Sequence, residues 1–536
     1  MASAEFIPSP LRGNALSRLT QAADSVSGTI TRAYDGLDRL TSETTPQGSV
    51  SYVYDAANRR TSATVAGQTG VSYSYDNANR LTQIAQASST VSFSYDNANR
   101  RTSLTLPNGV SMSYSYDNAS ELTGISYALG QNSLGNLSYS YDLAGRRTSV
   151  GGSLAAVNLP NAISTTAYDA ANELTQWGTA TPTYDANGNT LSDGTNTYVW
   201  NARNQLASMN LTGETFQYDP FGRRTSKTIL GTTTNYVYDG ANPVQELSGT
   251  TPTANMLTGI GVDEYFTRTD STGTAHFLTD ALGSTISLTN SSGATLSSYT
   301  YEPFGNTTGN SSSTNTYEYT GRENDGTGVY YFRARYFSPS LSRFISEDPA
   351  RSGIDLFSYA GGNPISETDP SGLWDPQTHD NLIWNALKPC GVDNDTIYLI
   401  QQLSRDFDSS LTSQMPWNAP WHSMRSPFQG ADNAIDDRNE FINDSLISAF
   451  AAYDQGGDWQ TPFAQGIHDL MDRTSPDHMQ NGVPLRWWIG NFYDHGDMWG
   501  SGETWNDMTP QNMQANILMI QGAYQGITGR SCPCGH

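Results

Sequence analysis

The chain has 536 residues and a formal net charge of −24. That length suits two or more domains, and that charge excludes a protein that coats nucleic acid or an anionic membrane with its own cations. It leaves room for a metal-dependent enzyme that meets phosphate through bound cations. Three cysteines are too few for a disulfide framework. Cys532 and Cys534 form a terminal C-x-C, read as a tail, with a metal clip or a redox pair as the alternatives. Only 36% of residues are hydrophobic, so burial must draw heavily on the 30 Tyr, 17 Phe and 11 Trp.

The opening stretch, MASAEFIPSPLRGNALSRL, has no apolar core of the kind a signal peptide carries. No apolar run approaches the roughly 18 residues that mark a transmembrane helix. Delivery out of the cell would need dedicated machinery or lysis. A phrase built on Tyr-Asp then recurs at Tyr34, Tyr54, Tyr75, Tyr95, Tyr116 and Tyr141, and again at Tyr168, Tyr184, Tyr218 and Tyr238. A degenerate copy sits at Trp200. Fixed-period self-similarity is the mark of a repeat architecture.

Each unit reads as a hairpin. Val91-Ser92-Phe93-Ser94-Tyr95 alternates with the period of a strand. Asp-x-Ala-Asn/Gly-Arg supplies the turn, because Asn and Gly accept positive φ and Asp bonds its own backbone. Arg-Arg-Thr-Ser resumes the strand. One hairpin cannot hide its own face, so the units are expected to pair in series into one long winding sheet. Tyrosines should stack in layers, with the turn Asp and Arg within reach of each other. No repeat residue is a candidate catalyst.

These phrases, with HFLTDALGSTISLTNSSGATLSSYTYEPFG from His276 and GRENDGTGVYYFRARYFSPSLSRFISEDP after it, resemble the YD-repeat family, also called Rhs, over residues 20–373. The resemblance implies a β-rich spiral shell of antiparallel hairpins, here residues 1–320, followed by an Rhs-associated core at 321–373. It also implies a C-terminal cargo at 374–536. The stretch after Pro364 contains Asp369-Pro370-Ser371-Gly372-Leu373. In the family, P-x4-D-P-x-G-L marks self-cleavage directly after the Leu, which would separate Leu373 from Trp374. The protease pair implied by the resemblance is Asp369 with Asp348, the latter in SRFISEDP. Two carboxylates held close do not both ionise easily, so one stays protonated and one acts as base on a water. Arg343 is expected to balance the local charge, although Ser342 stands where the family usually has Gly. Asp-Pro and Gly as plain turn chemistry at a domain end is the bland alternative.

Beyond Leu373 the Tyr-Asp phrases stop. LIWNAL, IYLIQQL, EFINDSLISAFAAY and QNMQANILMIQGAY space their apolar residues as helices do, so an all-α domain is expected. Every histidine except His276 lies in this part. His468 and Asp472 stand one helical turn apart and His478 follows after Ser475-Pro476, a spacing suited to zinc. His379, Asp406 or Asp408, His422, His495, Asp497 and Glu503 add further ligand types. Scattered surface histidines are the alternative.

The order resembles the zinc-dependent phospholipase C/P1 nuclease superfamily, all-helical hydrolases of phosphate esters with three zinc ions. Carried over, it implies His379, Asp408, His422, His468, Asp472, His478 and His495 as ligands, with Asp472 bridging two metals. Trp499 stands where the family has a carboxylate, so Glu503 or Asp497 would have to replace it. The family's mature chain begins with Trp, whose free amine and carbonyl bind zinc. Trp374 matches it, so self-cleavage would also complete the metal site, since a free α-amine with a pKa of about 8 binds metal and a peptide nitrogen does not readily do so. The expected protein is a polymorphic toxin with a phospholipase C-like zinc enzyme acting on a phospholipid or other phosphodiester. It would carry up to three Zn2+ ions, and an immunity protein and a secretion or shell-completing partner are its expected company. An S1/P1-type zinc nuclease and a non-enzymatic surface adhesin are the alternatives.

Overall fold

The computed structural model describes residues 11–373 apart from 14–18, 143–144, 157, 211–212, 312–313 and 350–354, and only scattered positions beyond 373. Among the described residues two antiparallel sheets dominate, of 14 and 12 strands, and in both the strands pair in chain order. The first runs from Leu11–Gly13 to Arg147–Gly151 and the second from Tyr198–Trp200 to Thr307–Ser311. Two short hairpins stand between them in sequence, and a four-stranded sheet from Glu323–Asn324 to Arg343–Phe344 follows.

The Tyr-Asp phrase explains this order residue by residue. In the second unit, Asp55 Oδ1 accepts the amides of Ala57 and Arg59 at 2.9 Å. Asn58 takes the positive φ of 64° that closes the turn, a conformation Asn tolerates better than most residues. Arg59 Nε returns to Asp55 Oδ2 at 2.7 Å. Its guanidinium also faces the Tyr75 ring of the next unit, 4.9 Å from the centroid. The Tyr75 hydroxyl then donates back to the Arg60 carbonyl at 2.8 Å. The same set repeats with Asp35, Arg39 and Tyr54, with Asp76, Arg80 and Tyr95, and with Asp96, Arg100 and Tyr116. It reappears in the second sheet as Asp219, Arg223 and Tyr238. The expected contact of turn Asp with turn Arg is thus present. In these sets each repeat tyrosine is faced by an arginine from the unit before, and ring-to-ring contacts of the expected kind occur at Tyr218 with Tyr331 and at Tyr238 with Tyr236, at 6.4 and 6.2 Å.

The residue after that turn-closing position, which is Arg in five of these units and Glu121 in the other, alternates along the chain: Leu40, Arg60, Leu81, Arg101, Leu122, Arg147. The leucines pack against the main apolar core, which draws Ile84, Val91, Phe93 and Ile125 from the first sheet and Val237, Val244, Phe266 and Leu278 from the second. The arginines cross to the second sheet or to the segment that follows it. Arg60 Nη1 donates to both Asp239 oxygens at 2.9 and 2.8 Å, Arg101 Nη1 to Glu264 at 2.7 Å, and Arg147 Nη1 to the Ile365 carbonyl at 2.8 Å. Their long stems cover apolar surface while the charged heads find partners.

The chain divides into two compact units. One comprises Met1–Tyr141, Arg147–Glu347 and Phe357–Gly372; the other comprises Asp142–Arg146, Asp348–Leu356 and Leu373–His536. Beyond 373 the backbone is helical at Ile383, Leu387, Ile400, Ala449, Phe463 and Ile520, and Met479–Gln480 pairs with Val483–Pro484. The all-α expectation for 374–536 otherwise falls outside the described residues. No helix among the described residues is long and apolar enough to cross a membrane.

The pairing geometry makes the two arginines of one turn unequal. Arg60→Ala should lower unfolding stability by roughly 3 kcal/mol, the low end for a buried pair, because Asp239, largely shielded from water, keeps only the Tyr52 hydroxyl as a partner. Arg59→Ala loses a more exposed ion pair together with the contact to the Tyr75 ring and should cost less, about 1–2 kcal/mol. Urea titrations of the two variants measure the difference.

His276 supplies a pH test. It is buried, and desolvation holds its pKa below the ordinary value, only partly opposed by the hydrogen bond to the Thr289 carbonyl. A depressed histidine contributes fully above its unfolded pKa of about 6.5 and loses that contribution as pH falls. His276→Asn should therefore flatten the fall in melting temperature between about pH 7 and 5.

Candidate active site

The four-stranded sheet owes its position to an aromatic run, Tyr330-Tyr331-Phe332, and its antiparallel return, Arg335-Tyr336-Phe337-Ser338. Phe332, Phe337, Phe344 and Tyr359 form a closed box of rings, with Phe337 and Tyr359 centroids 4.6 Å apart and Phe332 and Phe344 at 5.9 Å. All pairs of the box except Phe337 with Tyr359 pack edge-to-face, and all four rings are buried.

Asp369 is wholly buried, at 0% exposure. Its Oδ1 accepts the Gly372 amide at 2.7 Å and the Ser371 hydroxyl at 3.1 Å. Its Oδ2 faces Arg335 Nη2 at 3.3 Å. Arg335 itself lies 3.6 Å above the Phe344 ring, and its Nε donates to the Gly372 carbonyl. A carboxyl group buried this completely finds its partners in the protein rather than in water. Tyr359 closes the site. Burial drives its hydroxyl pKa well above the ordinary tyrosine value, and the Asp369 charge pushes the same way, so Tyr359 remains protonated.

Asp348 belongs to the other compact unit. It is 2% exposed, and its amide donates to the Leu356 carbonyl at 2.8 Å. Leu373 belongs to that unit as well and is buried. Arg343 is buried with its guanidinium over the rings of Phe357 and Tyr168, at 4.6 and 5.4 Å. The structure thus brings Asp369 together with Arg335, which the sequence reading did not single out. Arg333 was missed too. The available signal was two charged residues inside the aromatic stretch YYFRARYF, since charged groups inside an apolar run are rare unless paired.

Trp374, His379, Asp408, His422, His468, Asp472, His478, His495 and Glu503 lie outside the described residues, as do Asp406 and Asp497. Among the described residues no group of three or more His, Cys, Asp or Glu side chains is arranged to hold a metal ion.

The teneurin YD-shell family model matches residues 29–132 and 110–358. The tRNA3(Ser)-specific nuclease WapA of Bacillus spizizenii is 33% identical over 221 residues, which are 38% of this chain and 10% of that protein. Toxin subunit YenC2 of Yersinia entomophaga is 35% identical over 92 residues, 17% of this chain and 9% of that one. Among solved structures, TcdB2-TccC3 without its hypervariable C-terminal region aligns with a TM-score of 0.53 at 19% identity, over 67% of this chain and 24% of that chain. The Photorhabdus luminescens Tc holotoxin pore aligns with a TM-score of 0.52 at 17% identity over the same shares. The chain therefore spans about a tenth of the length of these curated relatives and about a quarter of the solved chains. At such identity the structural likeness speaks for the fold.

Arg335→Ala removes the guanidinium from a buried carboxylate and should cost roughly 3–5 kcal/mol. Limited proteolysis should then cut within 369–373 at protease levels that leave the wild type intact.

Proposed function

The chain belongs to the teneurin YD-shell family, and on that footing we propose that it is a toxin whose residues 321–373 release a C-terminal phosphodiesterase by cutting the chain after Leu373. The observation that carries the reading is the complete P-x4-D-P-x-G-L phrase with its Asp369 fully buried against Arg335. Three of the relatives are named as toxins or toxin subunits and three as tRNA nucleases, which supports toxin as the class.

In the proposed reaction Asp369 and Asp348 form the carboxyl pair. One takes a proton from water as the water oxygen bonds to the Leu373 carbonyl carbon. The other, protonated, donates to the departing Trp374 nitrogen as the C–N bond breaks. Water is the sole co-reactant, and the products are a Leu373 carboxylate and a Trp374 amine. Arg335 and Arg343 are cations suited to offset the charge of the pair.

The released domain is proposed to be phospholipase C-like and to carry up to three Zn2+ ions. His379, Asp408, His422, His468, Asp472, His478, His495, Glu503 and the Trp374 amine would hold them, a nitrogen and carboxylate set that suits zinc. Bound zinc would supply hydroxide at neutral pH by lowering the pKa of its water to about 7. An S1/P1-type nuclease is the second reading, favoured by the tRNA-specific nuclease names of the WapA relatives. An immunity protein and a secretion or shell-completing partner belong to the proposal; a toxin subunit and a toxin assembly among the proteins it resembles support the shell partner.

Intact mass of the purified full chain should show two pieces, one beginning at Trp374, and Asp369→Asn and Asp348→Asn should each give a single piece. An uncut wild type refutes self-cleavage. Metal analysis of the cut chain should give about three zinc per molecule, fewer in the uncut variants. Equal zinc content and equal hydrolysis in both would sever cleavage from metal binding, and none at all would favour the adhesin. Release of phosphorylated headgroup marks the lipase, and digestion of RNA or DNA marks the nuclease.

A further inference from the structure

Three consecutive carbonyls of the segment before Leu373 meet three consecutive residues of one hairpin tip. Arg333 Nη1 donates to the Pro370 carbonyl, the Ala334 amide to Ser371 at 3.1 Å, and Arg335 Nε to Gly372. The tip is a two-residue connection, Arg333-Ala334, between strands in which Phe332 pairs with Arg335. A lone hairpin needs none of these bonds to the 370–372 segment; they arise because a turn of the chain lies across its end.

Two features are costly for a structure that merely turned the chain. Arg333 has φ +58°, a conformation that favours Gly or Asn at such a position. Its side chain is anchored as a fork, with Nη2 to Asp263 Oδ1 at 2.7 Å and Nη1 to Asp263 Oδ2 at 3.0 Å. Asp263 is in turn held by Arg322 Nη1 at 2.6 Å. Gly372 has φ +76°, and a Cβ there would collide with the Phe332 carbonyl oxygen. Position 372 thus accepts glycine on both conformational and steric grounds.

We infer that the Arg333–Arg335 hairpin tip is a built peptide-binding cradle for the Pro370-Ser371-Gly372 segment, with Arg333 as its positioning residue and glycine at 372 as its specificity requirement. Its ligand is a turn of this same chain, closed by the Asp369 carboxylate on the Gly372 amide and met by the hairpin tip through its backbone carbonyls. The inference rests on the self-cleavage reading for its purpose: the cradle fixes the chain just ahead of the Leu373–Trp374 bond and keeps the new C-terminus after the bond is cut. Misplacement of a reacting bond by about 1 Å costs on the order of a hundredfold in rate, so loss of the cradle should be visible as slow cleavage.

The test uses the full chain as wild type, Gly372→Ala, Arg333→Ala and Arg333→Lys, all checked by melting temperature. Cleavage is timed by intact mass between about pH 4 and 9, and exchange of the Ala334 amide is followed by mass spectrometry. Gly372→Ala and Arg333→Ala should cut about a hundredfold more slowly, with the pH profile unmoved. Arg333→Lys keeps the charge and loses the fork, so it should recover about tenfold of that loss. If Gly372→Ala and Arg333→Ala cut at the wild-type rate, the cradle is overturned while self-cleavage stands. If the wild type does not cut, self-cleavage falls and the cradle is judged by exchange alone. An Ala334 amide protected in the wild type and exposed in Gly372→Ala then upholds it, and one that exchanges freely in the wild type overturns it.

Discussion

The contact on which the described fold depends is the arginine that closes the turns at Arg39, Arg59, Arg80, Arg100 and Arg223, held by its own turn aspartate and laid over the next unit's tyrosine. It does three jobs with one side chain. The bond from Arg59 Nε to Asp55 closes its own hairpin. Its cation over the Tyr75 ring ties that hairpin to its successor, an attraction worth about 0.5–2 kcal/mol at partly desolvated sites. Its Nη1 reaches the Asn79 side chain that shapes the next turn, at 3.0 Å. Each unit thereby fixes the geometry of the one after it. Stability of this kind adds up along neighbours rather than gathering in one central nucleus.

The second arginine plays a different part. At Arg60 and Arg101 it points into the space between the two sheets, where it meets Asp239 and Glu264. At Arg224, in the corresponding place in the second sheet, it is entirely buried against Glu323 and Asp325, with Lys227 sharing Asp325 at 2.7 Å. Buried ion pairs add less net stability than their short distances suggest, and their usual merit is to penalise wrong pairings. A slipped register would leave Arg60 or Arg224 facing apolar side chains.

Much of this was legible in the sequence. The hairpin period, the turn residues and the Asp–Arg contact follow from local rules, because each is settled within about twenty residues. Sequence order also conveyed strand order, since every strand of the large sheets pairs with its chain neighbours. The partners of Arg60 and Arg101 were not legible: they stand 179 and 163 residues away, and no local pattern announces them. The same holds for Arg335, whose tie to Asp369 spans 34 residues. Asp369 itself was found through its phrase. Its neighbours were hidden because RAR within an aromatic run reads as a strand with charged outer positions, whereas here both arginines turn toward the 369–372 segment. The metal-ligand pattern belongs to residues beyond those described.

The alternation of leucine and arginine after the first turn arginine bears on how such a chain can grow. One added unit would shift every later unit by one place in a two-unit rhythm, setting an arginine where the core expects a leucine and the reverse. Two added units would restore the rhythm, with leucine and arginine again in their own places. Descent by gene duplication would therefore favour gains and losses in even numbers, and the repeats would carry that parity as a fossil of their ancestry.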